Sequence, residues 1–218
     1  LLLAISIASE LLGQDPLKHP DFYLCFPIIK VDKTIVSSNN LIEEFKVFYE
    51  KNKYGNIDDW LNSLDSKNKQ GLIGVEEVYR IHKNLNLKAF KGNNKVCVIW
   101  GPEFLTLAAA NKILKIIEEP PSNTYFIMIS EKPDQVLPTI FSRAAPLNIK
   151  KISISKIETK LNEKGVENSF EIANASSGSW RKALELFKNS KFRKKLELIW
   201  IIGLRNAFKS SGNKSIVI

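Results

Sequence analysis

Arginine is scarce in this chain, so each one carries information. Lysine and arginine together number 32, yet arginine stands only at positions 80, 143, 181, 193 and 205. A lysine ammonium is a point charge; only the planar guanidinium fork can hold two phosphate or carboxylate oxygens at once. Arg143 closes the run Leu137-Pro138-Thr139-Ile140-Phe141-Ser142-Arg143-Ala144, and Arg181 closes Ser177-Gly178-Ser179-Trp180-Arg181. Other chemistries find little support. His19 and His82 are isolated, so no Ser-His-Asp or Cys-His arrangement can be built from them. Cys25 and Cys97 sit in apolar contexts with no CxxC or Cys/His cluster, so no metal site is expected. They read as buried free thiols, which fits a reducing cytoplasm.

A second chemical feature is something missing. The apolar segment Val96-Cys97-Val98-Ile99 ends in Trp100-Gly101-Pro102-Glu103. In a P-loop ATPase the corresponding strand ends in acidic residues, one to hold Mg²⁺ and one to polarise the attacking water. Indole and bare backbone do neither, and Glu103 lies beyond the two positions needed. On spacing alone, the strand reads equally as one that never carried such acids. No GxxxxGK[ST] phosphate loop occurs anywhere in the chain.

These residues need elements to position them. Leu1 to Leu12 has helical spacing, with Gly13 as its C-cap. A short apolar strand is expected over Phe22 to Ile29, and helices over Leu41 to Tyr49, from Asn56, and over Ile73 to Leu85. Lys91 to Asn94 reads as a loop. Val96 to Ile99 and Tyr125 to Ile129 read as strands buried on both faces. Between them a helix runs from Thr106 to Ile117 and stops at Pro120-Pro121. Pro133 to Ile140 has helical and turn character, and Leu147 to Ile152 reads as a last short strand or an extended link. Strands alternating with helices imply a parallel, doubly wound sheet. From Ser155 the pattern is helical only: Lys156 to Lys164, Ser169 to Ala175 and Ser179 to Phe187, then a basic helix over Phe192 to Phe208. The four tryptophans (60, 100, 180 and 200) read as core residues.

The composition bounds the class. Hydrophobic residues make up 44% and charged residues 25% of 218, enough to bury a core. No apolar run reaches the ~18 residues of a membrane span, and Leu1 to Leu12 lacks the flanks of a signal peptide. No membrane partner is therefore expected. The net charge of +9 comes almost wholly from scattered lysine. That pattern reads first as a solvated surface, the Lys191 to Lys195 cluster included, and second as attraction to DNA phosphates. The chain starts at Leu1 rather than Met and is expected to begin inside a longer protein.

The segment Asn111-Lys112-Ile113-Leu114-Lys115-Ile116-Ile117-Glu118-Glu119-Pro120-Pro121 looks like the NxLLKxLEEPP run of the AAA+ clamp-loader family of bacterial DNA polymerase III. Leu137 to Ala144 resembles its LPTIxSRC motif, with Ala144 in place of Cys. The resemblance is closest over Lys95 to Ala144. It extends more loosely over His19 to Lys91 and Lys151 to Phe187, and points to the delta-prime branch with gamma/tau next. It implies an AAA+ (RecA-like) α/β domain with a parallel sheet and flanking helices over 1–149. A small helical lid domain would follow over 150–189, and the start of a collar over 190–218. It further implies that Arg143, beside Ser142, acts as a trans arginine finger on ATP·Mg held by a neighbouring subunit. Arg181 is placed as sensor 2-like and Ser130 as sensor 1-like, with no cofactor or metal held by this chain itself. Many bacterial relatives carry a four-cysteine zinc module where this chain has Gly13 to Lys18. The implied partners are gamma/tau and delta subunits in a ring, the sliding clamp, and primed DNA through the complex. The implied role is a non-hydrolysing subunit of the DNA polymerase III holoenzyme. An active gamma/tau-type ATPase and a basic nucleic-acid-binding module are the alternatives.

Overall fold

The computed structural model describes residues 1–29, 37–64, 71–90, 94–189 and 201–202. The chain divides into two compact units, one over Leu1–Leu147 and one beginning at Asn148. The elements of the first are α1 (Leu2–Leu12), β1 (Phe22–Cys25), α2 (Ile42–Lys51), α3 (Ile57–Ser63) and α4 (Val75–Leu85). They continue with β2 (Lys95–Trp100), α5 (Leu107–Glu118), β3 (Thr124–Ile129) and α6 (Pro138–Phe141). The second unit holds α7 (Ile154–Glu163), α8 (Ser169–Ser176) and a helix α9 over 180–189.

The three strands form one parallel sheet in the order β1-β2-β3. All six residues of β2 are buried. Because successive side chains of a strand face opposite ways, β2 serves two layers at once. Val96, Val98 and Trp100 join residues of α1, α2 and α3. Cys97 and Ile99 join Val78, Ile81 and Leu85 of α4, Ala109, Ala110, Ile113 and Ile116 of α5, and Ile140 of α6. This is the parallel sheet with flanking helices expected from the sequence. The second unit gathers its helices around Ile157, Leu161, Val166, Ile172, Ala173 and Ala183.

Local chemistry sets the helix ends. Gly13 closes α1 with φ 70°, and its N–H donates to the Ser9 carbonyl at 2.8 Å. Asn56 and Asp59 form a reciprocal capping box on α3. The Thr106 side chain caps α5.

Several expectations are corrected. β1 stops at Cys25 instead of running to Ile29. Pro27 cannot donate to a ladder, and Ile28 bridges antiparallel to Leu72. Ile73 lies outside α4: its N–H donates to the Phe104 carbonyl at 2.8 Å and its carbonyl accepts from Thr106 at 3.0 Å. β3 is half-buried rather than buried on both faces, since it is the outer strand of the described sheet. Of the two readings given for Leu147 to Ile152, the strand is not formed and the link is; Leu147 is 74% exposed. The loop at 91–93, the Lys191 to Lys195 cluster, Trp200 and nearly all of the basic helix from Phe192 lie outside the described residues. Among the described residues no helix is long and apolar enough to cross a membrane.

Both cysteines are buried free thiols. Burial, the dominant cause, pushes the Cys97 thiol up to about 12 from 9.0 and raises Cys25 as well. The folded state therefore holds these protons after the unfolded state has begun to lose them near pH 9.0. The stabilisation is intact below that point and declines as pH rises toward about 12. Two outcomes are expected. A thiol reagent at pH 8 labels neither cysteine until denaturant is added. The denaturation midpoint is lower at pH 10.5 than at pH 8.

Candidate functional site

Arg143 is exposed, and the chain around it is held by backbone hydrogen bonds and a buried isoleucine. Leu137-Pro138 opens the short helix α6, with proline at its first position, where a missing N–H costs nothing. Ile140, fully buried, pins that helix to the core beside Val136. Backbone bonds continue past the helix: Ser142 N–H to Pro138 at 2.9 Å, Arg143 to Ile140 at 3.1 Å, Ala144 to Phe141 at 3.2 Å. The arginine thus leaves the surface one turn beyond a buried anchor. Its guanidinium is held by Nε donating to Glu118 Oε1 at 2.5 Å and by Nη1 donating to the Thr139 carbonyl at 2.9 Å. A longer contact from Nη1 to Ser142 Oγ measures 3.4 Å. The side chains of Arg143 and Glu118 are 39% and 44% exposed.

The end of β2 has the opposite character. Trp100 is 1% exposed, and its ring lies 5.9 Å from Phe45 and 6.4 Å from Phe48. Trp60 and Phe26 complete the cluster; Trp60 packs edge-on to Phe26 at 5.0 Å and donates its indole N–H to the Pro27 carbonyl at 2.9 Å. Gly101 follows with φ 84°, in the left-handed region that favours glycine. A Cβ there would come within 2.6 Å of Ile57 and 2.9 Å of Phe104. A carboxylate at 100 would be buried among rings, and any side chain at 101 would be strained at that φ and press on Ile57 and Phe104. Glu103 is turned to structural use, one oxygen accepting from the Glu131 N–H at 3.3 Å.

The remaining sequence-predicted residues are placed as follows. Ser142 lies with Arg143, its hydroxyl donating to the Thr139 carbonyl at 3.2 Å. Ser130 follows β3 and accepts from the Lys132 N–H at 3.1 Å. Arg181 belongs to the second unit and pairs with Glu185 across one helical turn at 2.9 Å. Gly178, three residues before it, has φ 83° and takes the Ile152 N–H on its carbonyl at 3.0 Å. His19 is buried, and its Nδ1 accepts from the Asp21 N–H at 3.0 Å. Among the described residues no group of three or more His, Cys, Asp or Glu could hold a metal ion. Sequence reading quoted Glu118 inside a motif but gave it no role, and it missed that α2 and α3 supply the rings around Trp100. The Phe45/Phe48 pair, spaced i, i+3, was the available signal.

Residues 33–153 match the sequence profile of a family described as DNA polymerase III, delta subunit. The chain is similar to the DNA polymerase III subunit delta' of Buchnera aphidicola subsp. Baizongia pistaciae: 40% identical over 98 residues, 43% of this chain and 29% of that protein. It is similar also to the subunit delta' of Yersinia pestis: 43% identical over 91 residues, 41% of this chain and 26% of that protein. The chain thus spans less than a third of the length of these relatives. Among solved structures it is similar to a DNA polymerase III gamma subunit-related protein from Thermotoga maritima, with a TM-score of 0.43 and 24% identity. That likeness covers 66% of this chain and 48% of the other.

The closed end of β2 generates a prediction. Trp100→Ala is expected to cost about 3–5 kcal/mol, as for other buried aromatic truncations. Trp100→Asp should cost more, because an unpaired carboxylate would then be buried among rings. Urea denaturation of the variants checks both; a Trp100→Asp protein as stable as the parent would contradict the described core.

Proposed function

The chain belongs to the DNA polymerase III delta-subunit family, and from that premise we propose that it is a clamp-loader subunit of the delta-prime kind. It does not hydrolyse ATP itself. It presents Arg143 to ATP·Mg bound by an adjacent gamma/tau subunit, within a ring that also contains delta and loads the sliding clamp on primed DNA.

The observation that carries this reading is the setting of Arg143. The guanidinium is exposed beside a buried anchor, and among the described residues its Nη2 bonds to nothing. A phosphoryl transition state spreads charge over several oxygens, and a planar fork supplied from outside can meet two of them. The packed indole at position 100 and the left-handed glycine at 101 favour the same reading over an active ATPase, since they leave no carboxylate where magnesium and the attacking water would need one. In this reading Arg181 and Gly178 support the lid, and Ser130 has no nucleotide of its own to sense.

The test is ATP turnover by the complex reconstituted from complete subunits. Arg143→Ala should slow the ATP site it faces by about 10³-fold, the lower end of what arginine fingers contribute. Arg143→Lys should recover little of that loss. Circular dichroism of the variant subunit should match the parent, because the side chain is on the surface. An unchanged rate for Arg143→Ala sinks the finger role. Magnesium-dependent hydrolysis by this protein alone would favour the active gamma/tau type instead.

A further inference from the structure

We infer that Glu118 is a positioning residue for Arg143, fixing the guanidinium so that its Nη2 corner is the one offered outward; this deepens the arginine-finger reading and rests on it.

The geometry separates two roles that Glu118 could have. A carboxylate resembles a phosphate in charge and oxygen spacing, so it could simply compete for the arginine. A competitor would take the fork side-on, on Nε and Nη2 together. Glu118 bonds to Nε alone, at 2.5 Å, and Nη2 has no bond among the described residues. An incoming oxygen can therefore join the guanidinium without displacing Glu118. The second anchor lies on the far side of the group, where Nη1 donates to the Thr139 carbonyl at 2.9 Å. Contacts at Nε and Nη1 together stop rotation of the planar group. A free arginine side chain must lose that freedom when it binds; here it is lost beforehand.

Both anchors are themselves fixed. Glu118 is the last residue of α5, whose Ile113 and Ile116 are buried in the core and whose first turn is capped by Thr106. Thr139 lies in α6, pinned by Ile140. The neighbouring Glu119 is exposed and makes no hydrogen bond or ion pair with Arg143 among the described residues, which supplies an internal control. An ion pair this exposed contributes little to stability, so removing Glu118 should leave the fold intact.

The experiment uses the complete protein, first in the reconstituted clamp-loader complex. Glu118→Ala should lower kcat for ATP by about tenfold through misplacement of the finger, with a smaller change in KM. Glu118→Gln keeps an acceptor for Nε–H and should recover most of the rate, while Glu119→Ala should match the parent. Glu118→Ala combined with Arg143→Ala should be no slower than Arg143→Ala alone. In the free protein, the Arg143 Nε–H resonance should exchange slowly with water and lose that protection in Glu118→Ala. A Glu118→Ala rate at or above the parent's, in a complex that Arg143→Ala does slow, overturns the positioning role. So does a protected Nε–H that survives the substitution. If Arg143→Ala leaves the rate unchanged, the finger reading fails instead, and the Nε–H resonance still decides whether Glu118 holds the guanidinium.

Discussion

The packing of Trp100 against Phe45 and Phe48 is the constraint on which the rest of the first unit depends. β2 is the middle strand of the sheet, and each of its side chains is committed to one helical layer or the other. Open α/β sheets usually bind ligands at the carboxyl ends of their strands. Here the carboxyl end of the central strand is an indole inside an aromatic cluster. Burying an aromatic side chain removes about 150–250 Å² from water. At about 25 cal/mol per Å² that is roughly 4–6 kcal/mol, an upper estimate. Whole domains are stable by only about 5–15 kcal/mol. The cluster is therefore a large share of what holds the unit together, and replacing the indole by a carboxylate would work against the core it closes.

The three arginines within the described residues show how environment divides one residue type into different roles. Arg80 is mostly buried and is bound to Glu77 and Ser38, so its charge is used up inside the fold. Arg181 pairs along its own helix with Glu185, an arrangement common on helix surfaces. Arg143 combines exposure with anchors drawn from two separate elements, α5 and α6. What fixes it is apolar: Ile140, Ile113 and Ile116 hold the two elements that hold the two ends of the guanidinium. A polar group is aimed by its hydrophobic neighbours, which is a firmer basis than the surface ion pair it makes.

Most of the architecture was legible in the sequence because local signals agreed with each other. The β-branched run at 96–99, the alanine-rich helix stopped by Pro120-Pro121 and the Gly13 cap all appear where their chemistry puts them. The misjudged segments share a cause, which is dependence on partners distant in sequence. Phe22 to Ile29 is uniformly apolar, but Pro27 breaks the ladder and Leu72 claims Ile28. Ile73 fits the α4 pattern yet bonds to Phe104 and Thr106. Tyr125 to Ile129 is as apolar as β2, but apolar content cannot reveal that only one of its edges finds a strand among the described residues. For the site, residue type sufficed to pick out Arg143, because arginine is rare here. Its partner was hidden: two adjacent glutamates end α5, and only the path of the chain after β3 decides that Glu118 faces the arginine.

Helix α5 ties the closed strand end to the exposed arginine. Its twelve residues span about 18 Å at 1.5 Å per residue. Its beginning follows directly from Gly101 and the turn Pro102–Phe104, and the backbone of Ile73 grips that turn from both sides at Phe104 and Thr106. Its end is Glu118. The conformation that lets Gly101 turn under the aromatic cluster thus also sets the origin of the helix that reaches the guanidinium. Substituting a larger residue at 101 would push on Ile57 and Phe104, and Phe104 lies three residues before α5 begins at Leu107. One helix, buried at Ala109, Ala110, Ile113 and Ile116, thus runs from the turn after the closed strand end to the glutamate that holds the arginine.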